Sequence, residues 1–358
     1  MSKVKVALKA RSYEVLVSRG ILYRLGQMIE RYKWGSQIFV VTDPLVNRLY
    51  GRLLRSSLPC QMLLVKRGEA AKNLKTLSIL YDDLVKGSAH RDALVVALGG
   101  GVIGDLAGFL AATYMRGINF VQVPTTLLAQ VDAAIGGKTG INHPQGKNLI
   151  GAFYQPKLVY IDVETLASLP KRELRTGLVE VVKYGLIDNA SFFNFLERNI
   201  SSLKSVKDLD IWEKIVFESA KIKARIVSKD EREAAYRMVL NLGHTFAHAI
   251  EAVTHYVTYN HGEAVAIGLV AASKMSQLLG LMDAAEVNRV SKLLTSLGLP
   301  TLVRGLSLAQ VAKALQLDKK VRDQRLNFVL PQGLGRVIVR DDVPTEIVQQ
   351  TLKEIGCQ

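Results

Sequence analysis

The feature that most limits the fold is a continuously apolar run, Ala93–Leu98, which leads directly into a glycine-rich turn. A strand buried on both faces of a parallel sheet has this uninterrupted apolar pattern. Before it, strand patterns at 37–42 and 61–66 alternate with helix patterns. Alternation of this kind predicts a parallel sheet covered by helices. We therefore predict an α/β domain with a mostly parallel sheet in the N-terminal part of the chain.

The glycine-rich turn, Gly99-Gly-Gly-Val-Ile-Gly104, fits the pattern G-x-G-x-x-G between a strand and a helix. Backbone N–H groups in such a turn can approach a pyrophosphate, as they do in Rossmann-like dinucleotide-binding domains. The pattern is weak by itself, and the carboxylate for a ribose must come from an earlier strand. Asp43 is placed for that role, although a helix N-cap explains it about equally well. The segment Glu69–Lys72 is a further candidate for cofactor contacts.

A second feature is the segment Tyr236–Glu263, which holds four of the six histidines. Its first half has the pattern of a helix, and polar residues recur in it at steps of four, three, four and three. That spacing places on one stripe Arg237, Asn241, His244, His248 and Glu251. So narrow a stripe favours the wall of a polar pocket over a solvated face.

Imidazole is the commonest metal ligand, so we expect the cluster that contains His244 and His261 to bind a metal or to act in catalysis. Taken singly, each histidine is better explained as an ordinary core or surface residue. The zinc-protease motif is absent, so a third protein ligand must come from elsewhere. One candidate is Glu180, which stands with Lys183 among apolar residues, where an unpaired charge is costly. The alternative is that Glu180 and Lys183 pair with each other on the surface.

The segment Asp132–Asn148 is rich in glycine and contains Lys138, Lys147 and two asparagines. Because glycine lets the backbone close in and lysine attracts anions, we interpret the segment as a loop that binds a phosphate or a polyol. The alternative is a flexible surface loop.

The 358-residue chain is longer than one typical core, and helical periodicity dominates after about Val163. We predict two domains, 1–162 and 163–358. Two cysteines form no disulfide framework and suit a reducing cytoplasm. There is no apolar run of about 18 residues, so we expect no membrane span. The net charge of +15 asks for an anionic partner, but without a basic motif interleaved with aromatics we expect a small anionic substrate and no nucleic acid.

Several runs of the chain closely resemble the 3-dehydroquinate synthase family of sugar-phosphate cyclases. Among them are Gly-Gly-Gly-Val-Ile-Gly-Asp-Leu-Ala-Gly at 99–108, Gly-Lys-Asn-Leu-Ile-Gly at 146–151 and Leu-Asn-Leu-Gly-His-Thr-Phe-Ala-His at 240–248. Further matching runs lie at 124–128, 136–144, 180–185, 230–233 and 261–268. Their order along the chain is more specific than any single motif. The resemblance implies an NAD-binding α/β domain, a mainly helical metal- and substrate-binding domain, and an active site in the cleft between them.

The resemblance also implies roles for individual residues. The implied metal ligands are Glu180, His244 and His261, for zinc or alternatively cobalt. The implied NAD-binding residues are Asp43, Glu69, Lys72, Gly100, Gly101, Val102, Asp105, Thr125, Thr126, Lys138 and Lys147. The implied substrate-binding and catalytic residues are Asp132, Lys138, Asn148, Lys183, Lys223, Arg237, Asn241, His248, Lys320 and Arg116, the last supplied to the partner subunit of a homodimer.

The implied reaction is a lyase reaction that converts 3-deoxy-D-arabino-heptulosonate 7-phosphate to 3-dehydroquinate and phosphate. It comprises oxidation by NAD, phosphate elimination, reduction, ring opening and aldol closure, so that NAD is recycled. Two alternatives are another sugar-phosphate cyclase, such as a 2-deoxy-scyllo-inosose synthase, and a metal-dependent polyol dehydrogenase. Lys223 and Arg237 favour an acid substrate over glucose 6-phosphate.

Overall fold

The computed structural model describes the chain except Tyr256 and residues 322–325, and describes residues 317–321 by their backbone alone. The chain forms two compact units. Unit 1 comprises Met1–Pro170 and Lys207–Arg232, and unit 2 comprises Lys171–Val206 and Glu233–Gln358.

These units differ from the predicted division at 162/163, because residues 163–170 and 207–232 group with unit 1. The second segment is a helix that packs on the sheet of unit 1: the Ala7 backbone N–H donates to Ser228 Oγ at 2.8 Å. Helical periodicity in 207–232 therefore marked a helix correctly but did not reveal which core that helix covers.

Unit 1 is an α/β unit. Its strands are β1 (Ser2–Val6), β2 (Tyr13–Ser18), β3 (Ile38–Thr42), β4 (Gln61–Leu64), β5 (Leu94–Gly99), β6 (Asn119–Pro124), β7 (Lys138–His143), β8 (Gly146–Phe153) and β9 (Leu158–Asp162). Its helices are α1 (Leu25–Tyr32), α2 (Pro44–Val46), α3 (Arg52–Arg55), α4 (Leu74–Lys86), α5 (Gly101–Thr113) and, from the later segment, α9 (Leu209–Lys229).

Seven of these strands form one sheet in the order β1-β2-β9-β6-β5-β3-β4, and β7 pairs with β8 separately. Only the β1–β2 pair in the large sheet is antiparallel. Every residue of β5 is buried, as its apolar run predicts for a central strand. The mostly parallel sheet confirms the predicted fold class.

Two apolar layers cover the large sheet, because successive side chains of a strand point to opposite faces. Val41 and Val95 pack with the residues of α4 and α5 on one face. Val40 and Val96 pack with the residues of α1 and α3 on the other. Both faces are therefore closed, which leaves the ends of the strands as the places where polar residues can gather.

Unit 2 is mainly helical. Its helices are α6 (Lys171–Asp188), α7 (Ala190–Arg198), α8 (Ile200–Leu203), α10 (His244–Val253), α11 (His261–Leu278), α12 (Ala284–Ser296), α13 (Leu308–Val321) and α14 (Thr345–Glu354). A small antiparallel pair, β10 (Phe328–Pro331) and β11 (Val337–Arg340), completes it. Thirteen of the 18 residues of α11 are buried, as its low charge predicts. In the described part of the chain, no helix combines the length and apolarity needed to cross a membrane.

Candidate functional site

The glycine-rich turn lies at the carboxyl edge of the parallel sheet in unit 1. Gly99 ends β5 opposite Pro124 at the end of β6, and the Thr125 backbone N–H donates to the Gly99 carbonyl at 2.9 Å. Gly100 then caps α5, and a Cβ there would lie 3.1 Å from Thr126 Cγ2. The close approach explains why glycine occupies the turn. The first N–H groups of α5 have no carbonyl partner within the helix, which suits them to a phosphate.

Asp43 follows β3 at the same edge of the sheet and is buried. Its Oδ1 accepts hydrogen bonds from the backbone N–H groups of Leu45 at 2.8 Å and Val46 at 3.1 Å. The helix-cap interpretation of Asp43 is therefore observed. The cap uses Oδ1, so a role at a ribose would depend on Oδ2.

A polar network joins the predicted cofactor residues of unit 1. The buried Lys72 ammonium contacts the carboxylate of Asp105 on α5 and the side-chain oxygen of Asn148 on β8. Burial raises the pKa of Asp105, and the charge and hydrogen bond of Lys72 oppose that rise. Lys72 therefore links a predicted cofactor residue to a predicted substrate residue.

Asn142 completes this network; it lies in the predicted binding loop, but the sequence indicated no role of its own for it. Its backbone N–H donates to the Lys72 carbonyl at 2.8 Å, and its Nδ2 donates to Glu69 Oε1 at 2.7 Å. Its Oδ1 accepts from the Asn148 backbone N–H at 2.9 Å, which holds Asn148 at a positive φ of 58°. Nothing in the local pattern around Asn142 signals these three contacts, because two of its partners are far away in the sequence.

The prediction that Asp132–Asn148 is a loop was wrong for most of its length. Lys138–His143 and Gly146–Phe153 form an antiparallel hairpin. Gly140 and Gly151 face each other, and a Cβ on Gly140 would lie 2.5 Å from the Ile150 carbonyl oxygen. Glycines are uncommon in strands, so they suggested a loop, whereas here they allow two strands to approach closely.

Lysines of unit 1 occupy two different environments. Lys138 and Lys147 are exposed, at the start of β7 and on β8. Lys223 on α9 is buried, and its ammonium donates to the Asp132 carboxylate at 2.5 Å and to the Asp132 carbonyl at 2.7 Å. The structure thus brings together Asp132 and Lys223, two predicted substrate residues that are widely separated in sequence.

In unit 2, Glu180, His244 and His261 each offer one ligand atom, and these atoms lie within 4.8 Å of one another. Glu180 comes from α6, whereas His244 and His261 are the first residues of α10 and α11. Two imidazole nitrogens and one carboxylate oxygen form a donor set suited to zinc that leaves a position for substrate. The three predicted metal ligands therefore do come together.

Both interpretations of the pair Glu180 and Lys183 have a counterpart in the structure. The two side chains do pair with each other, but both are almost wholly buried rather than on the surface. The other carboxylate oxygen of Glu180, Oε1, lies 3.9 Å from His244 Nε2. Lys183 thus lies beside the cluster. Its ammonium is next to the carboxylate of Glu180, the one carboxylate among the three grouped residues.

The two histidines of the cluster differ in electrostatics. Burial, and then the positive charge of Lys183, lower the pKa of His244 well below its usual range. Burial also opposes the charged form of His261, but the hydrogen bond and charge of Glu251 outweigh it and raise the pKa. His244 is therefore held neutral near pH 7, the form in which imidazole binds a metal.

The helix predicted from Tyr236 onward is interrupted. Tyr236–Asn241 is a 3₁₀ segment, and α10 begins only at His244, after Gly243 at a φ of +80°. A Cβ on Gly243 would lie 2.9 Å from the Leu269 backbone nitrogen of α11, so contact between the helices fixes the break. The polar stripe is divided between two segments for this reason.

Three predicted substrate residues lie on these two segments. Arg237, in the 3₁₀ segment, is almost wholly buried, and Asn241 at its end donates to Glu233 Oε1 at 3.0 Å. His248 on α10 is exposed, and its ring lies 5.7 Å from the ring of His244. Glu233 was not predicted as a site residue, although it lies in one of the matching runs.

Two further predictions concern single basic residues. Arg116 is exposed and has a positive φ of 68°, directly after Met115 at 49°. Lys320 belongs to the backbone of α13, but its side chain lies outside the described residues. Neither the partner-subunit role of Arg116 nor the substrate role of Lys320 is tested by these positions.

The fold is that of the sugar-phosphate cyclases. It matches a 2-epi-5-epi-valiolone synthase from Streptomyces hygroscopicus subsp. jinggangensis, solved with NAD⁺ and Zn²⁺, at 29% identity and a TM-score of 0.88, over 98% of each chain. It also matches a 2-deoxy-scyllo-inosose synthase, solved with carbaglucose-6-phosphate, NAD⁺ and Co²⁺, at 26% identity and a TM-score of 0.87, over 99% of each chain.

Sequence comparison identifies the family within this class. Residues 62–176 match the model of the 3-dehydroquinate synthase N-terminal domain, and residues 177–321 match that of the C-terminal domain. A 3-dehydroquinate synthase of Rippkaea orientalis is 45% identical over 98% of this chain and 97% of its own. The chain belongs to the 3-dehydroquinate synthase family, as the sequence runs predicted.

Proposed function

We propose that this chain catalyses the reaction for which its family is named, the conversion of 3-deoxy-D-arabino-heptulosonate 7-phosphate to 3-dehydroquinate and phosphate. Such a reaction is a carbon–oxygen lyase step followed by closure of a carbocycle. The observation that carries the proposal is the group formed by Glu180, His244 and His261 beside the buried cation of Lys183. It occurs in a chain that matches the family over nearly its whole length.

The donor set fits a divalent metal, which we propose is zinc, with cobalt as the alternative. Glu180, His244 and His261 would hold it. A metal bound there would lower the pKa of a substrate hydroxyl and favour loss of its proton. Lys183, whose ammonium lies against the Glu180 carboxylate, would donate a hydrogen bond to a substrate oxygen and stabilise negative charge on it.

The turn at the N-terminus of α5 fits the pyrophosphate of NAD, since the first N–H groups of the helix have no carbonyl partner within it. When bound there, NAD would supply reversible hydride transfer and would not be consumed overall. The residues that we propose hold it are Asp43, Glu69, Lys72, Gly100, Gly101, Val102, Asp105, Thr125, Thr126, Lys138 and Lys147. In this proposal unit 1 is the cofactor-binding part of the chain, and unit 2 carries the metal.

An anionic substrate needs cations to hold it and donors to orient its hydroxyls. We propose this role for Asp132, Lys138, Asn148 and Lys223 of unit 1, for Lys183, Arg237, Asn241, His248 and Lys320 of unit 2, and for Arg116 contributed by the partner in a homodimer. His248 is exposed, and imidazole is the side chain that most often transfers protons in enzymes, so we assign it proton transfer to a substrate oxygen. We place the enzyme in the cytoplasm and expect no binding of nucleic acid.

The test is phosphate release from 3-deoxy-D-arabino-heptulosonate 7-phosphate with trace NAD and zinc, before and after chelation. Many turnovers per NAD, lost on chelation, would support the proposal. Because solved relatives of the same fold are cyclases with other substrates, glucose 6-phosphate should be tested in parallel. Release from glucose 6-phosphate alone would replace the substrate, and consumption of one NAD per turnover would favour a dehydrogenase.

His261→Ala separates the two cofactor sites. It removes a metal donor from unit 2 and leaves every proposed NAD-binding residue of unit 1 in place. We expect no phosphate release from this variant, together with near-normal NAD binding by calorimetry. Full activity with metal confirmed absent would contradict the assignment of His261 as a ligand.

A further inference from the structure

Glu251 is a buried carboxylate that the proposed reaction does not use. It lies on α10 between Ile250, which is buried, and Ala252, and seven residues after His244 it occupies the same face of the helix. A carboxylate in such surroundings costs free energy unless a partner compensates for the water it has lost. Its Oε1 lies 3.3 Å from His261 Nδ1. One partner of Glu251 is thus a side chain of the metal cluster.

His244 and His261 have the same arrangement of their ring nitrogens. His244 Nδ1 lies 3.2 Å from the Leu242 carbonyl oxygen, and that oxygen can only accept, so His244 Nδ1 carries the hydrogen. His261 Nδ1 faces Glu251 in the same way. In both rings the neutral tautomer with hydrogen on Nδ1 leaves the Nε2 lone pair for the metal.

The two acceptors are not equivalent. The Leu242 carbonyl is part of the backbone directly before α10, so it holds the His244 ring locally. His261 begins α11 and receives its acceptor from another helix, and the carboxylate carries a full negative charge. A charged acceptor forms a stronger hydrogen bond with the ring N–H and makes the opposite nitrogen a better donor to a metal.

We propose that Glu251 is the positioning residue of His261: it fixes the ring orientation and the tautomer that leaves the Nε2 lone pair for a metal, and would thereby set how tightly a metal is held. The proposal rests on the metal site of the proposed function. It distinguishes Glu251 from the three ligands, since Glu251 acts on the metal through His261.

A purely structural role would have a different signature. If Glu251 served only to join α10 to α11, its loss would lower stability with little effect on metal affinity. The pair formed by Lys274 of α11 and Glu354 of α14, with Nζ 3.2 Å from Oε2, is a contact of that structural kind in the same unit. Glu354→Gln therefore serves as a matched control, because it neutralises a carboxylate that also binds α11.

The experiment measures zinc affinity of metal-free protein by competition with a chromophoric chelator, for wild type, Glu251→Gln, Glu251→Asp and Glu354→Gln. Loss of the carboxylate behind a ligand histidine commonly weakens metal binding by about 10-fold to 100-fold. We expect a loss in that range for Glu251→Gln, a smaller loss for Glu251→Asp and no change for Glu354→Gln. The visible spectrum of bound cobalt should change in Glu251→Gln and stay as in wild type for Glu354→Gln.

Unfolding of the metal-free proteins supplies the second readout. A metal-free Glu251→Gln that unfolds close to the wild-type midpoint, yet binds zinc more weakly, supports the proposal. Unchanged zinc affinity and cobalt spectrum in both Glu251 variants would overturn it while leaving the metal site standing. Failure of wild type itself to bind one equivalent of zinc would remove the metal site from the proposed function, and this proposal with it.

Discussion

Gly268→Ala tests whether the metal centre depends on the close approach of two backbones in unit 2. A Cβ on Gly268 of α11 would lie 2.1 Å from the Gly243 carbonyl oxygen, whereas ordinary contact begins at 3.4 Å. The Cβ is fixed directly to the α11 backbone and the carbonyl is itself backbone, so neither group can rotate away, and α10 and α11 would have to separate by roughly 1 Å. Gly243 directly precedes His244, so that separation should also move one of the proposed metal ligands.

The size of the effect follows from two opposing contributions. Overpacking a tight contact costs about 1–3 kcal/mol, and a clash of a Cβ with a backbone carbonyl belongs at the upper end of that range. Alanine gains about 1 kcal/mol over glycine in a helix interior. We therefore expect Gly268→Ala to lower the free energy of unfolding by about 2 kcal/mol. Metal ligands tolerate displacements of only about 0.2 Å, so zinc affinity should fall by about 10-fold or more.

The assay is urea unfolding of metal-free protein, read from the midpoint at constant m-value, together with zinc titration. Gly185→Ala on α6 is the matched control, because a Cβ there would come no closer than 3.0 Å to Phe193. The penalty of this milder contact should be smaller, and the helix-propensity gain of about 1 kcal/mol should offset most of it. If Gly268→Ala proved as stable as Gly185→Ala and bound zinc like wild type, the contact between Gly243 and Gly268 would not position His244.

Three further perturbations test other parts of the structure. Lys183→Met should lower the free energy of unfolding of the metal-free protein by about 3–5 kcal/mol, because it leaves the buried Glu180 carboxylate without this cation. Added zinc should restore part of that loss, and an equal loss with and without zinc would contradict the assignment of Glu180 as a ligand. Arg11 lowers the pKa of Glu231 below its usual 4.5, chiefly through their hydrogen bond. The ionised carboxylate therefore stabilises the fold fully above pH 4.5, and this contribution is lost as the pH falls through the lowered pKa of the folded state. Glu231→Gln should therefore lower the melting temperature at pH 7 by a margin that shrinks below pH 4.5, and a pH-independent margin would refute this explanation. Asn142→Ala removes two side-chain hydrogen bonds from the network in unit 1. At roughly 1 kcal/mol per bond, their loss should weaken NAD binding by up to about 30-fold; unchanged calorimetric affinity would exclude Asn142 from the cofactor site.

The sequence predicted the sheet well because its signal is local. An apolar run such as Ala93–Leu98 can be satisfied only by burial on both faces, and the turns that follow each strand carry their own residues. The carboxyl ends of parallel strands meet at one edge, so Asp43 and the glycine turn could be expected near each other. Agreement of this kind requires no knowledge of the tertiary structure.

The hairpin of β7 and β8 shows where local signals fail. Gly140 and Gly151 are poor strand residues when each is considered separately, and they are suitable only because they face each other. The contacts of Asn142 were hidden for a similar reason. Its partner Glu69 is 73 residues away in the sequence. Pairings between distant residues are products of the fold, so a single sequence contains no direct signal for them.

The two proposed histidine ligands, His244 and His261, show both situations within one site. The start of α11 is written in the sequence: Asn260 accepts from the Glu263 backbone N–H at 2.8 Å, and the Glu263 carboxylate accepts from the Asn260 backbone N–H at 3.0 Å, a capping box that places His261 at the first helical position. The start of α10 has no side-chain cap, and there Gly243 turns the chain because α11 lies against it. His261 is therefore placed by its neighbours in sequence and His244 by its neighbours in space. A substitution in the capping box should displace one ligand, and a substitution at the contact between the helices should displace the other.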